Sequence, residues 1–112
     1  MVEPTVIEPF EADVQRFKAL GDPTRLQILH VLAEGGRCVC EIQPRLAVPP
    51  NLLSHHLKVL REAGLVVAQR SGRRVHYELD PDGLEAAKAA VPSAASVATR
   101  EACACGRERV PA

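Results

Sequence analysis

The chain has 112 residues with 14 basic and 14 acidic side chains, so its formal net charge is zero, and 46% of its residues are hydrophobic. This length supports one domain with one modest core, and the composition is that of an ordinary soluble globular protein, which excludes a membrane-spanning chain. Because the only aromatic residues are Phe10, Phe17 and Tyr77, the core must be aliphatic, which favours packed helices.

The N-terminal segment and the cysteines indicate where the protein acts. Residues 1–13 carry acidic side chains but no Lys or Arg, the reverse of a secretory signal, and no apolar run is long enough to span a bilayer. We therefore expect a cytoplasmic protein with no membrane partner. In that compartment the four cysteines are expected to be thiols or metal ligands, not structural disulfides.

Three regions follow from the composition along the chain. Residues 1–9, with two prolines, are expected to form a flexible arm. Residues 10–91 are expected to form a single DNA-binding and dimerisation domain. Residues 92–112 are rich in Ala and Ser, then in Arg, and are expected to be a flexible tail that contains two cysteines.

Apolar spacing and helix-end signals predict five helices in the domain. They are expected at residues 10–20, 23–34, 38–46, 50–63 and 81–91. Two Asp-Pro pairs, at 22–23 and 80–81, each supply an N-cap followed by a proline at the first helical position. Gly64 marks the end of the fourth helix.

Two strands are expected at residues 65–70 and 74–79, on either side of Ser71-Gly72, since apolar and polar residues alternate in the second. The order is then helix, helix, helix-turn-helix, hairpin, helix. We therefore predict a mainly α fold with a small β-hairpin, the winged helix-turn-helix arrangement.

A basic segment runs from Asn51 to Tyr77, and between Ser54 and Tyr77 it holds five Lys or Arg and one acid, Glu62. Leu53, Leu57 and Leu60 fall in one sector of the fourth helix at about 100° per residue, with polar residues opposite. A helix that reads the major groove needs short polar side chains and phosphate-binding cations. The residues expected to contact DNA are Asn51, Ser54, His55, Lys58 and Arg61 from this helix and Arg70, Arg73, Arg74 and His76 from the hairpin.

His56, on the flank nearer the core, is expected to be partly buried, in packing or hydrogen bonding. The competing interpretation of the whole segment is a solvated amphipathic helix beside a charged hairpin. The preceding short helix and proline turn favour DNA binding over that interpretation.

Residues 19–29 (ALGDPTRLQIL) and 54–66 (SHHLKVLREAGLV) resemble the ArsR/SmtB family of metal-sensing repressors. The resemblance covers residues 10–91 and departs at Pro49-Pro50, where many members carry polar side chains. It implies a homodimer joined through the first and last helices and bound to double-stranded operator DNA with an inverted repeat. It also implies repression of a resistance operon until a toxic ion weakens that binding.

Cys38 and Cys40 resemble the cysteine pair of arsenite- and cadmium-type members of this family. On a regular helix two such residues diverge by about 200°. We therefore expect that sharing one ion requires the first turn of the third helix to unwind or distort. Because that helix is the first helix of the helix-turn-helix, the distortion would displace the fourth helix, which is expected to contact DNA.

Arsenite-type members often carry a third cysteine one turn later, where this chain has Gln43. A further sulfur is therefore expected from Cys103 or Cys105 in the tail. Three sulfurs suit As(III) or Sb(III), and four suit Cd(II), Pb(II) or Zn(II). Residues 80–91 contain no His, which disfavours the last-helix zinc or nickel site of other members.

Two other functions are compatible with the Cys-x-Cys pairs. One is a regulator that senses thiol–disulfide redox state, and the other is a thiol protein or metal carrier with no DNA role. An enzyme is not expected, since the sequence shows no nucleophile–base set and no phosphate-binding glycine loop.

Overall fold

The computed structural model describes residues 10–97. The predicted arm at 1–9 and the part of the predicted tail that holds Cys103 and Cys105 lie outside the described residues. The elements are α1 (Glu11–Leu20), α2 (Pro23–Leu32), β1 (Arg37–Cys38), α3 (Val39–Ile42), α4 (Pro50–Glu62), β2 (Val66–Ser71), β3 (Arg74–Leu79) and α5 (Pro81–Ala89), with 3-10 turns at Gln43–Arg45 and Ala94–Ser96.

The core is aliphatic and is centred on α4. Leu53, Leu57 and Leu60 are fully buried, and they pack in one cluster with Ile28 of α2 and Ile42 of α3. A fully buried Leu or Ile contributes about 1.5–3 kcal/mol relative to an exposed one. These contacts hold α4 on the body of the domain with its opposite face in solvent.

Both Asp-Pro pairs start helices, as predicted. The Asp22 carboxylate accepts a hydrogen bond from the Arg25 backbone N–H at 3.1 Å. The Asp80 carboxylate accepts from the N–H groups of Asp82 at 3.0 Å and Gly83 at 3.3 Å. These bonds satisfy donors that the first turn of a helix leaves without partners.

The hairpin belongs to a three-stranded antiparallel sheet in the order β1-β3-β2. Ser71 pairs with Arg74 across a tight turn, where Gly72 adopts a φ of +64°, a conformation that favours glycine. The additional strand pairs Arg37 with Tyr77 and Cys38 with His76. Sequence reasoning missed this strand because it is two residues long.

The predicted third helix at 38–46 is wrong at both ends. Residues Arg37–Cys38 join the sheet, because the outer edge of β3 offers them backbone hydrogen-bonding groups. The α-helix then covers Val39–Ile42 and passes into a 3-10 turn. Pro44 has no N–H and in a continued α-helix its ring would clash with the carbonyl four residues earlier, so the α-helix ends before it, at Ile42.

Helix α5 lies very close to the turn that follows α4. A Cβ at Gly83 would overlap the carbonyl oxygen of Gly64, so only glycine permits this approach. The Asp80 backbone N–H donates to the Leu65 carbonyl at 2.9 Å and fixes the start of the helix at the same place.

The predicted winged helix-turn-helix fold, mainly α with a small hairpin, is confirmed, with one strand more than expected. Among residues 10–97, no helix combines the length and the apolar character needed to cross a membrane.

Candidate nucleic-acid interface and cysteine site

The solvent face of α4 carries all the helical residues predicted to contact DNA. Asn51, Ser54, His55, Lys58 and Arg61 are exposed. The leucines on the opposite face are fully buried, so the helix cannot rotate without exposing them. The predicted division of α4 into a core face and a polar face is therefore confirmed, while the DNA contacts themselves stay a prediction.

His56 takes part in a polar network with the start of α2. Its side chain is 13% exposed, and its Nδ1 lies 3.1 Å from the Arg25 guanidinium and 4.0 Å from the Asp22 carboxylate. Arg25 also donates to the Ala19 carbonyl at 2.7 Å. The expectation that His56 is partly buried and hydrogen-bonded is confirmed.

This network also stabilises the ionised form of Asp22. The hydrogen bond from the Arg25 backbone N–H lowers the pKa of Asp22 from its ordinary value of 3.8, and the nearby Arg25 guanidinium adds to the effect. Sequence reasoning identified Asp22 as a cap but missed Arg25. The spacing Asp-Pro-Thr-Arg indicated the local cap, whereas nothing local indicated that Arg25 reaches residue 56.

The hairpin presents uncompensated positive charge. Arg70, Arg73 and Arg74 are exposed. Across residues 10–97 none of the three forms an ion pair or a side-chain hydrogen bond. Their charges are therefore available to an external anion such as the phosphate backbone of DNA.

His76 differs from the arginines beside it. It is half-buried, and its ring lies so close to Gly36 that a Cβ there would contact its Nε2 at 2.7 Å. Its predicted DNA role stays a prediction, but its position couples the hairpin to the segment before the cysteines.

Cys38 and Cys40 meet at the junction of β1 and α3, where the structure joins their sulfurs in a disulfide. The expectation that these two cysteines are not disulfide-bonded is therefore wrong for this structure. Cys38 is nearly buried, at 4% exposure, while Cys40 is exposed.

The two sulfurs meet without distortion of α3, because the structure places Cys38 outside the helix, whereas the predicted helix began at this residue. Cys38 precedes the helix as its N-cap, with the extended backbone of a strand (φ −84°, ψ 166°). The divergence of about 200° applies only when both residues are helical. Glu41 holds this junction, because its carboxylate accepts from the Cys38 backbone N–H at 3.0 Å.

The cysteine pair and the hairpin line one pocket of about 270 Å³. Its lining residues are Cys38, Val39, Cys40, Arg73, Arg74 and Val75. Once this disulfide is reduced, the two sulfurs become thiolates, which are soft donors suited to a thiophilic ion. The described part of the chain holds no group of three or more His, Cys, Asp or Glu that could bind a metal.

Gln43, which occupies the place of the third cysteine in arsenite-type sequences, has another contact here. Its side-chain amide donates to the carbonyl of Val48, just before α4. This bond connects the end of α3 to the residues just before α4.

Comparison with known proteins agrees with this architecture. Residues 22–67 match the model of the bacterial regulatory protein arsR family. An HTH-type transcriptional regulator of Methanocaldococcus jannaschii is 46% identical over 77 residues, 68% of this chain and 86% of that protein. The arsenical resistance operon repressor of Escherichia coli K12 is 38% identical over 104 residues, 92% of this chain and 82% of that protein.

Among solved structures, the chain is similar to the homodimeric winged helix-turn-helix DNA-binding domain of a possible ArsR-family transcriptional regulator from Mycobacterium bovis. The TM-score is 0.69 at 28% identity, covering 80% of this chain and 84% of that one. Together with the exposed polar face of α4 and the cationic hairpin, these matches show that the chain belongs to the ArsR/SmtB family of metal-responsive winged helix-turn-helix transcriptional repressors.

Proposed function

We propose that this chain is a cytoplasmic, homodimeric repressor that binds an inverted-repeat operator and releases it when a thiophilic metal(loid) ion binds its cysteines. The proposed ligands are Cys38 and Cys40, completed by Cys103 and Cys105 of the tail. As(III) or Sb(III) is the first candidate inducer, and Cd(II) or Pb(II) the second.

The DNA half of the proposal is supported by the charge and exposure of two neighbouring surfaces. The polar face of α4 offers short side chains at Asn51 and Ser54 for base edges, and Lys58 for phosphate. The hairpin adds Arg73 and Arg74 at its tip, suited to the backbone or the minor groove.

The proposed homodimer is supported by an apolar stripe along α1. Val14 and Phe17 lie on one face of this helix and are 46% and 38% exposed, and Phe10, its N-cap residue, is 55% exposed. Val91, just beyond α5, is also exposed. A second copy of the chain, packed through the first and last helices, would remove this surface from water.

The proposed binding of a metal(loid) ion rests on the close approach of Cys38 and Cys40 at the junction of a strand and a helix. This is the observation that carries the proposal. Once reduced, the two thiolates would hold a soft ion without any unwinding of α3. Tail cysteines would supply the third sulfur that pyramidal As(III) or Sb(III) takes, or the third and fourth that Cd(II) or Pb(II) takes.

Two connections would carry a change at the cysteines to the DNA-binding surfaces. Cys38 is paired with His76, so a shift of β1 acts on the hairpin strand. Gln43 donates to Val48, so a shift of α3 acts on the start of α4. Ion binding and DNA binding would then favour different geometries of the same elements, which is the requirement for negative coupling.

The test is an operator-release titration with fully reduced protein. A phosphine reductant is used, since a dithiol reductant would itself bind the ion. Operator affinity is measured against As(III), Sb(III), Cd(II), Pb(II) and Zn(II), and we expect the inducing ion to weaken it by about 5- to 150-fold. Unchanged affinity with every ion would remove the ion-sensing half of the proposal.

Two paired variants locate the ligands. The double substitution Cys38→Ser with Cys40→Ser is expected to bind operator normally and to lose the response to the ion. Cys103→Ser with Cys105→Ser is expected to lose the response as well. A full response in the second variant would contradict the tail ligands while leaving the first pair in place.

A second candidate, thiol redox sensing, is favoured by the disulfide between Cys38 and Cys40. In this case one hydrogen peroxide takes two electrons and two protons from the thiol pair and is reduced to two waters, while the sulfur–sulfur bond forms. Mild peroxide would then abolish operator binding, a reductant would restore it, and mass spectrometry of the non-reduced protein would show the loss of two hydrogens. A Cys38→Ser variant that is still inactivated by peroxide would exclude this pair as the sensor.

A further inference from the structure

A cleft of about 350 Å³ lies between α4 and the hairpin. It is lined by Arg61, Ala68, Arg70, Val75 and Tyr77. The strand register explains why residues far apart in sequence meet there. Ala68 is paired with Tyr77 and Arg70 with Val75, so all four side chains lie on one face of the sheet.

The contribution of α4 comes from the flank of its polar face. Arg61 follows Ser54 by seven residues, close to two helical turns, so both lie on the same side of the helix. The cleft is thus continuous with the surface proposed to face the major groove, and its other wall is the hairpin proposed to lie beside the backbone.

The chemistry of the cleft is that of an oxyanion site. No carboxylate lines it. Within the described part of the chain, Arg61 and Arg70 form no ion pair and no side-chain hydrogen bond. Tyr77 is half-buried with its ring packed against the core, and it contributes a hydroxyl donor.

We propose that Arg61 and Arg70 bind one and the same backbone phosphate of the operator, with the Tyr77 hydroxyl as a third donor. A phosphate shared in this way would hold the hairpin at a set distance from α4 once DNA is bound. This inference deepens the proposed function and rests on its DNA-binding half. It adds Tyr77 to the predicted contacts and turns two separate arginine contacts into one site.

Salt dependence distinguishes one shared phosphate from two separate ones. Each phosphate neutralised adds about 0.9 to the steepness of the plot of log affinity against log salt concentration. A dimer has one cleft in each subunit, so the slope should become less steep by about 1.8 when neither cleft binds its phosphate. We expect Arg61→Gln and Arg70→Gln each to weaken operator binding at least tenfold, since bonds to charged groups are lost. Because the remaining arginine still contacts the shared phosphate in a single variant, the double variant should lose no more than about 1.8 in slope, and its affinity loss should differ from the product of the two single losses.

Two matched variants calibrate these effects. Arg61→Gln combined with Arg73→Gln removes cations that do not share a pocket, so the affinity losses should multiply and the slope change should equal the sum of the two single changes. Lys88→Gln removes an exposed cation on α5 and should leave the slope unchanged. Affinity losses that multiply and a slope change of about 3.6 for Arg61 with Arg70, the value for two separate phosphates in each subunit, would overturn the shared site.

Tyr77→Phe tests the third donor, because it keeps the ring packing and removes only the hydroxyl. We expect a severalfold loss of operator affinity with no change in salt slope, since a neutral donor displaces no counterion. Wild-type affinity in this variant would overturn the role of Tyr77.

The source of the phosphate is tested without DNA. Tyr77 is the only tyrosine and the chain has no tryptophan, so protein fluorescence reports on the cleft. Inorganic phosphate at constant ionic strength should leave this signal unchanged. A saturable change that is lost in Arg61→Gln would assign the cleft to a free oxyanion and overturn the DNA assignment. Wild-type protein with no salt-dependent operator binding would overturn the proposed function and this site together.

Discussion

Asp22, Arg25 and His56 connect the turn between α1 and α2 with the helix that carries the polar face. Asp22 serves this network in two ways, as the N-cap of α2 and as the negative charge beside Arg25 and His56. We predict that Asp22→Ala lowers the free energy of unfolding by about 0.5–2 kcal/mol at neutral pH, which is the usual cost of losing an aspartate cap.

The pH dependence of this loss follows from the lowered pKa of Asp22. The folded state favours the carboxylate, so the stabilisation is fully present above the ordinary pKa of 3.8 and disappears as the pH falls through the lower folded-state pKa. Urea unfolding of the two proteins from pH 7 down to pH 2, at one protein concentration, measures this difference. Asp22→Ser keeps a cap without the charge, so it should retain most of the stability and show a weaker pH dependence. A pH-independent difference between wild type and Asp22→Ala would contradict this explanation.

At the scale of elements, α5 depends on the contact between Gly83 and the Gly64 carbonyl. A methyl group at residue 83 has no room, so α5 would have to move away from the turn after α4. We predict that Gly83→Ala lowers the free energy of unfolding by about 1–3 kcal/mol, the range for overpacking. The midpoint of urea unfolding at fixed protein concentration measures the loss.

Gly21→Ala is the matched control for this change. Gly21 has a φ of −83°, and its added Cβ would lie 3.4 Å from the Phe17 carbonyl oxygen, an ordinary contact. The stability of this variant is expected to stay within about 0.5 kcal/mol of wild type. Equal losses in both variants would show that the close approach of α5 is not the cause.

At the scale of the whole molecule, the stripe on α1 is the proposed contact between two copies. We predict that Phe17→Glu produces a folded monomer, because a carboxylate in the centre of an apolar interface would be desolvated without a partner. Operator affinity should then fall by about a hundredfold or more, since the two half-sites are no longer bound by linked subunits.

Analytical ultracentrifugation, with circular dichroism to check folding, measures this outcome. Val67→Lys is the control, because Val67 is 37% exposed, nearly the same as Phe17 at 38%, but lies in β2. It should remain dimeric. A dimeric Phe17→Glu protein with intact operator affinity would contradict an interface on α1.

Several features were predictable from the sequence because they depend on residues close together in the chain. The leucines of α4 recur with the helical period, the Asp-Pro pairs start α2 and α5, and β3 alternates between apolar and polar residues. These patterns predicted the fold class and the exposed face of α4, because local geometry and hydrophobic burial point to the same arrangement.

Other features depend on contacts between distant segments, and only the tertiary structure decided them. Cys38 leaves the predicted helix because it pairs with His76, 38 positions further along the chain, and this pairing lets its sulfur meet that of Cys40. Arg61 and Arg70 share a cleft only because the hairpin folds back beside α4. Periodicity assigns a side chain to a face, but it does not specify which distant residue lies opposite, since that depends on how the packed elements are placed in space.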